Sequence, residues 1–433
     1  MSSKLSSKIT LPDIRSYLHL GLSLGNLYDR IFLVLFVVDV ILRVLWLNQP
    51  SGSLIFDEWY YVNVARVILH LPQSVGANGQ PPYVNVPQGF DPNHEHPPLA
   101  KLLIALSMSI VGNNGYGWRI PSVIFGAISI LAFYLLMKRI SKQEVIPIIS
   151  TFLFSFDNLA FVHSRIATLD IFALGFMLLG IYWYFSGHSI LSAIGMALSA
   201  LTKITGIAGF ALIVGVHIVR FINDPSKRKK WGDFFSWFEK YTAAYVIVFF
   251  LLLTIMDRYF VGFSNPFDHI KYILDYSAAL TSTCPNGIIS CPWQWLLNQI
   301  TIPYLRVSVQ QTAGSTTSSY VSVSFLGAMN PAISFLTIPA LLYCSYNYYQ
   351  RRDDLSLVSL ALFSATYLPF YPAVIFGQRV TYLFYFLDAM PAVCAAIAYM
   401  IADTKLPKIV VIFYLAVVIY IFIFMFPFQR IPS

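Results

Sequence analysis

The stretch from Ile31 to Leu47 reads IFLVLFVVDVILRVLWL, and runs of the same kind recur as far as Lys408 to Pro427. Apolar runs of about twenty residues match the hydrocarbon core of a bilayer, where the backbone must satisfy its own hydrogen bonds. Runs of this length point to helices rather than to a barrel. Composition agrees: 57% of residues are hydrophobic, 11% are charged, and the mean hydropathy is +0.66, well outside the soluble range. The expected fold is an all-α polytopic membrane bundle. The net charge of +8 is no sign of nucleic acid, because basic residues in membrane proteins collect in cytoplasmic loops.

A window of about twenty residues per span gives about eleven transmembrane helices. They run Ile31 to Leu47, Ile120 to Met137, Val145 to Phe161, Ile166 to Phe185, two short spans within Ile190 to Ile222 split near Thr202 to Gly206, Tyr241 to Met256, Val323 to Cys344, Leu355 to Phe376, Thr381 to Ala402 and Lys408 to Pro427. The first thirty residues carry Lys4, Lys8, Arg15 and Arg30 with no apolar stretch ending in a cleavage site, so the first span reads as a retained signal anchor. With the amino terminus cytoplasmic, Lys138 to Lys142, Lys227 to Lys230, Arg351 with Arg352, and Lys405 with Lys408 all fall on the cytoplasmic side, as topology rules require. Two outward loops, Asn48 to Trp118 and Asp257 to Ser322, carry most of the extramembrane mass. Neither is long enough for a separate domain, so residues 1–433 form one unit. The first loop holds juxtamembrane helices: the amphipathic DEWYYVNVARVIL, and Leu99 to Val111, which follows Pro-Pro and is expected to lie along or dip into the surface. Cys284 and Cys291 bracket PNGIIS in the second loop, where an oxidising environment would allow a disulfide.

The same topology sends Asp57, Glu58, His94 to His96, Lys101, Arg119, Arg165, Lys203 and Arg379 outward. Asp57 and Glu58 suit a helix start, where acids oppose the helix dipole; a carboxylate in a partly lipidic cleft also suits a general base, since poor solvation raises its pKa. In HEHPPLAK, Lys101 lies one turn inside a helix that opens at Pro-Pro, an arrangement that favours phosphate. His94, Glu95 and His96 are ligand types for a divalent ion. FDNLAFVHSRIATLDIF clusters Asp157, His163, Arg165 and Asp170, either as structural ion pairs or as the lining of a watery cavity. Lys203 sits at the break in LTKITG, free to snorkel or to face the same cavity. Arg379 begins FGQRVTYLFYFLDAMPA, with Tyr382 about one turn along the same face. Together these make a basic, aromatic-lined outward cavity containing carboxylates.

The ordered series DEWYY, HEHPPLAKLLIAL, GWRIPSVIFGA, FDNLAFVHSRIATLDIF, ALSALTKITG, CPWQWLL and RVTYLFYFLDAMPA resembles the protein O-mannosyltransferase family of the GT-C superfamily, from about residue 30 to the carboxyl terminus. Enzymes that move aminoarabinose from undecaprenyl phosphate to lipid A share the acidic pair and the Pro-Pro-Leu element. The resemblance implies a polyprenyl-phosphate sugar donor, typically dolichyl phosphate mannose, that enters an extracytoplasmic cavity from the membrane, and a protein Ser/Thr acceptor. It implies that Asp57 is the catalytic base with Glu58 its acidic neighbour. It matches Arg119, Lys203 and Arg379 to the family's basic positions near the lipid phosphate, cations stabilising the leaving group. Lys101, Arg165, Asp170, Tyr382 and Trp293 are further candidates for donor phosphate and sugar contacts from the residues themselves. Single displacement implies inversion.

Three departures qualify the match. Asp257 to Ser322 is too short for the soluble repeat domain of eukaryotic members, which favours a prokaryotic, archaeal cell membrane. The usual tryptophan-rich pattern is reduced to CPWQWLL, whose Trp293 and Trp295 can stack on sugar or anchor at the interface. The glutamate between His94 and His96 is foreign to the mannosyltransferases and leans toward the lipid-modifying relatives. The alternatives are therefore transfer from the same class of donor to a lipid or surface glycan, and a transporter or flippase. Transporters are commonly built from repeated halves, and no such pairing is seen here.

Overall fold

The computed structural model describes residues 22–223, 230–313 and 316–426. Lys4, Lys8, Arg15, Lys227, Arg228, Lys229 and Pro427 lie outside the described residues.

In chain order the elements are α1 (Leu27–Val44), α2 (Glu58–Ile68), α3 (Leu99–Val111), α4 (Gly115–Ile140), α5 (Val145–Ser155), α6 (Asn158–His163), α7 (Asp170–Phe185) and α8 (Ser189–Thr202). A 3-10 turn (Ile204–Gly206) leads into α9 (Ile207–Asn223), followed by α10 (Trp231–Met256), α11 (Pro266–Ala279) and α12 (Pro292–Leu296). Strands β1 (Ile302–Ala313) and β2 (Thr316–Gly327) come next. Then follow α13 (Pro331–Arg351), α14 (Asp354–Tyr367), α15 (Phe370–Ile375), a 3-10 segment (Leu383–Ala389), α16 (Met390–Asp403) and α17 (Lys408–Met425). Six helical stretches among the described residues are long and apolar enough to cross a membrane, with shorter apolar helices between them. The helical membrane bundle is as expected; eleven spans are not confirmed.

In the inner layer α7 packs against both α4 and α8, and α16 packs against α5 and α13. α16 and its leading 3-10 segment bury nearly every side chain, whereas α17 exposes most of its apolar surface, as a helix facing lipid should. Small residues allow the closest contacts. A Cβ on Gly126 would overlap the Ser164 side chain, and one on Gly195 would press on the Gly180 backbone.

Where the spans differ from expectation, capping chemistry supplies the reason. The third span breaks at Asp157, whose carboxylate caps α6 by accepting from Ala160 N–H at 3.0 Å. The ninth breaks at Leu368-Pro369, where a proline cannot continue the ladder. The seventh begins ten residues early, at Trp231. The eighth does not begin at Val323: VSVSF, Val321 to Phe325, alternates with period two and is strand, and the helix starts beyond Asn330, whose side chain caps Ala332 N–H ahead of Pro331. The β-hairpin is the one element outside the all-α expectation among the described residues. The split between α8 and α9 falls at Lys203, as the sequence suggested.

Candidate active site

The loop after α1 and the start of α2 are held by one buried ion pair. Glu58 receives both Arg119 Nε at 2.7 Å and Arg119 Nη2 at 2.8 Å, and both residues are essentially inaccessible. The other guanidinium hydrogens go to the carbonyls of Leu47 (2.8 Å), Gln49 (3.1 Å) and Ser53 (3.2 Å). Glu58 also accepts from Ile55 N–H at 2.8 Å and Ala167 N–H at 3.0 Å. All five guanidinium donors are thereby used, leaving none for a phosphate. The pair joins α4, the loop before α2 and the loop before α7. Its product is the placement of the residue beside it.

That residue is Asp57. It precedes α2, makes no capping bond, and among the described residues its half-buried carboxylate has no hydrogen bond or ion pair. Phe56, just before it, is held at φ 53°, a left-handed conformation that an aromatic residue adopts only when its surroundings impose it. The Phe56 ring is fixed by Tyr304 (centroids 4.6 Å) and Phe384 (5.6 Å). Burial raises the Asp57 carboxyl to about 7, with the Asp170 charge adding to the rise and Lys203 opposing it. An unbonded carboxylate with that titration can accept a proton near neutrality.

Facing it is a second cluster. Asp170, first residue of α7, binds Lys203 Nζ at 2.5 Å and lies 3.9 Å from His163 Nδ1. Lys203 sits over the rings of Tyr385 (4.4 Å) and Phe384 (5.3 Å). His163 Nε2 meets Tyr304 Oη at 2.7 Å, and its Nδ1 meets Thr168 Oγ1 at 3.1 Å. Tyr304 thus links the foot of the hairpin to both clusters. Burial, Asp170 and Asp57 push its phenol well up, so it stays protonated.

The outer wall is the loop carrying His94 to His96. Lys101 is fully buried and points into that loop: Nζ binds Asp91 at 2.6 Å, the carbonyl of His96 at 2.9 Å and the carbonyl of Asn93. It braces the loop and is engaged there, not turned to an anion. The three candidate metal ligands do not converge. The His94 ring packs on Phe263, Tyr272 and His269, Glu95 reaches Tyr276, and the His96 ring lies toward Tyr61. Among the described residues no group of three His, Cys, Asp or Glu could hold a metal ion. The turn through His94 and Glu95 sends the three side chains to different neighbours, so the residues present do not fit a metal. Burial, aided by Lys203 and Lys101, lowers His96 to about 3, leaving it neutral. A second buried pair, Asp257 with His269 at 2.6 Å, ties α11 to this loop through the His94 carbonyl (3.1 Å).

The remaining predicted residues divide. Arg165 is buried against α1, donating to the carbonyls of Leu42 (3.0 Å) and Leu45 (2.6 Å). Arg379 donates Nε to Ser277 Oγ at 3.0 Å and Nη1 to the Leu280 carbonyl, with Nη2 unengaged among the described residues. It is close enough to act electrostatically on His96, Tyr382 and Tyr385. Tyr382 stacks on Phe384 and feels the Asp57 charge. Trp293 is 44% exposed against Tyr371, whereas Trp295 is wholly buried, its indole N–H on Ser290. The structure therefore brings Asp57, Asp170, Lys203, Arg379 and Tyr382 together and commits Glu58, Lys101, Arg119 and Arg165 to framework bonds. Sequence reasoning missed Tyr304, Asp91, Asp257 and His269. Only the VSVSF alternation gave any signal, for the hairpin that holds Tyr304. Cys284 and Cys291 form a disulfide (Cα–Cα 5.5 Å) that closes the segment pairing with Thr381 and Tyr382.

A family model described as dolichyl-phosphate-mannose-protein mannosyltransferase matches residues 95–255. Curated relatives named polyprenol-phosphate-mannose–protein mannosyltransferase include one from Mycolicibacterium smegmatis, 26% identical over 91% of this chain and 88% of its own. Another, from Mycobacterium tuberculosis, is 24% identical over 87% and 83%. Among solved structures, the S. cerevisiae protein O-mannosyltransferase Pmt1-Pmt2 complex bound to the sugar donor matches with a TM-score of 0.68 at 11% identity, covering 92% of this chain and 90% of that one. ArnT from Cupriavidus metallidurans bound to undecaprenyl phosphate matches at 0.55 and 15% identity, over 88% and 63%. At these identities the structural likenesses speak to the fold.

Proposed function

We propose that this protein O-mannosyltransferase-like chain of the GT-C superfamily transfers mannose from a polyprenyl-phosphate donor to Ser/Thr hydroxyls of proteins, at the extracytoplasmic face. The observation that carries the reading is the Asp57 carboxylate, unbonded among the described residues and raised by burial to about 7 beside the Lys203–Asp170 pair. Asp57 takes the proton from the acceptor hydroxyl, the hydroxyl oxygen bonds to the anomeric carbon, and the bond from that carbon to the phosphate oxygen breaks. The polyprenyl phosphate leaves with the electron pair. Lys203 and Arg379 are the cations placed to stabilise its charge, and a poorly solvated pocket strengthens their effect. Glu58 has its oxygens committed to Arg119 and two backbone amides. With Asp57 acting as the base on the acceptor hydroxyl, a single attack at the anomeric carbon inverts its configuration.

The multi-pass membrane setting rests on the apolar helices and on the relatives. The outward face is supported by the disulfide, which persists only where thiols are oxidised. The curated relatives reported above are bacterial, which favours a bacterial over an archaeal membrane. The test is transfer of labelled mannose from a polyprenyl-phosphate donor to a Thr-bearing peptide by purified protein, with NMR of the product. The axial or equatorial configuration must be opposite to the donor's. Retention would overturn the mechanism, and transfer to lipid alone would overturn the acceptor.

A further inference from the structure

β1 and β2 are the only strands of their sheet, paired antiparallel from Ile302 with Gly327 to Ala313 with Thr316. Twelve residues at about 3.3 Å each give arms reaching about 40 Å. Among the described residues each strand has one neighbour, so along the outer edge of each arm alternate residues present backbone N–H and C=O groups with no strand partner there. Long exposed edges invite pairing, and proteins ordinarily block them with charges, prolines or bulges. Here the two strands contain one charge, Arg306, and one proline, Pro303, both at the foot. The register irregularities lie at the foot, between Pro303 and Leu305 and between Val307 and Ser308, and from Ser308 outward the pairing is regular. From Ser308 to Gly327 the sequence holds no charge and no proline.

Its foot is in the site. Tyr304 bonds His163 and packs on Phe56, the neighbour of Asp57, while Phe325 stacks on Phe426 at 4.5 Å. A Cβ on Gly327 would overlap the Tyr304 ring, so the strand crossing there requires glycine. A strand laid along the hairpin edge is thereby led toward Asp57.

We propose that the free hairpin edge docks an extended segment of the acceptor protein by strand addition, presenting its Ser or Thr hydroxyl to Asp57. This rests on the protein-acceptor reading above. Backbone pairing would supply affinity without demanding a side-chain motif. Strand pairing also carries a signature: only every second peptide N–H faces the partner.

The test uses the wild-type protein and a set of Thr peptides, each with one N-methylated amide at successive positions flanking the Thr. The expected result is a KM raised at least tenfold at alternate positions and nearly unchanged between them, with kcat within twofold throughout. A benzophenone-bearing peptide should crosslink within residues 302–327. Transfer with no two-residue periodicity, or crosslinks confined to α11 or α12, would overturn the docking site while leaving the transferase reading intact. Crosslinks joining hairpins of two copies, undiminished by added peptide, would assign the edge to self-association and overturn it as well. No transfer to the unmodified peptide would overturn both readings.

Discussion

If Asp57 is the base, the acid limb of the transfer reaction is its titration curve. The carboxyl stands at about 7 rather than 3.8, a rise of about three units. At about 1.4 kcal/mol per unit, ionisation in the site costs at most about 4 kcal/mol more than in water. Below pH 7 the ionised fraction falls tenfold per unit, so kcat/KM at pH 5 should be about one hundredth of its plateau. The same shift bears on stability with the opposite sense. Because the folded value exceeds the unfolded one, the contribution is fully present below about pH 4 and is lost as pH rises through about 7. The sharper perturbation is Asp170→Asn. It removes a charge that raises Asp57 and frees Lys203, which lowers it, and both effects have one sign. The limb should move to lower pH by roughly one unit, each profile being normalised to its own plateau. Initial rates with a Thr peptide from pH 4.5 to 8.5 read this directly. A flat wild-type profile, or a limb that stays put or moves up in Asp170→Asn, would refute the reasoning.

Other outcomes follow from the framework. Glu58→Gln or Arg119→Lys breaks a buried, five-donor arrangement and should cost about 3–5 kcal/mol, seen as a large fall in melting temperature in detergent; an unchanged melting temperature would contradict the framework role. Gly327→Ala forces Tyr304 off His163 and Phe56, so transfer should fall at least tenfold while global stability changes by about 1–3 kcal/mol. Cys284 and Cys291, once reduced, should react with a membrane-impermeant thiol reagent in intact cells, the other two cysteines being buried; labelling only after permeabilisation would invert the topology.

Much of the fold was legible because its signals are local. Apolar runs marked the helices, Thr202 to Gly206 marked the break that places Lys203, and FDEWYY put two acids at a helix start. What escaped depends on partners distant in sequence. Glu58 and Asp57 are neighbours with opposite fates, one locked to Arg119 sixty-one residues away and one unbonded. Lys101 and Arg165 read as anion-binding cations, yet each turns back to carbonyls, because a buried cation must find acceptors. Averaging hydropathy over twenty residues hid the two-residue alternation of Val321 to Phe325, and with it the hairpin that carries Tyr304. The His94 to His96 triplet is polar enough to ligate a metal, but the turn it forms sends the three side chains to separate neighbours.

The most direct test of the central claim compares Asp57→Asn with wild type in two measurements on the same preparation: binding of the polyprenyl-phosphate mannose donor and transfer to a Thr peptide. The side chain is nearly isosteric and breaks no hydrogen bond, so donor binding should stay within about threefold while transfer falls by at least a hundredfold. Transfer retained within tenfold would remove Asp57 from the chemistry and leave the site without its base.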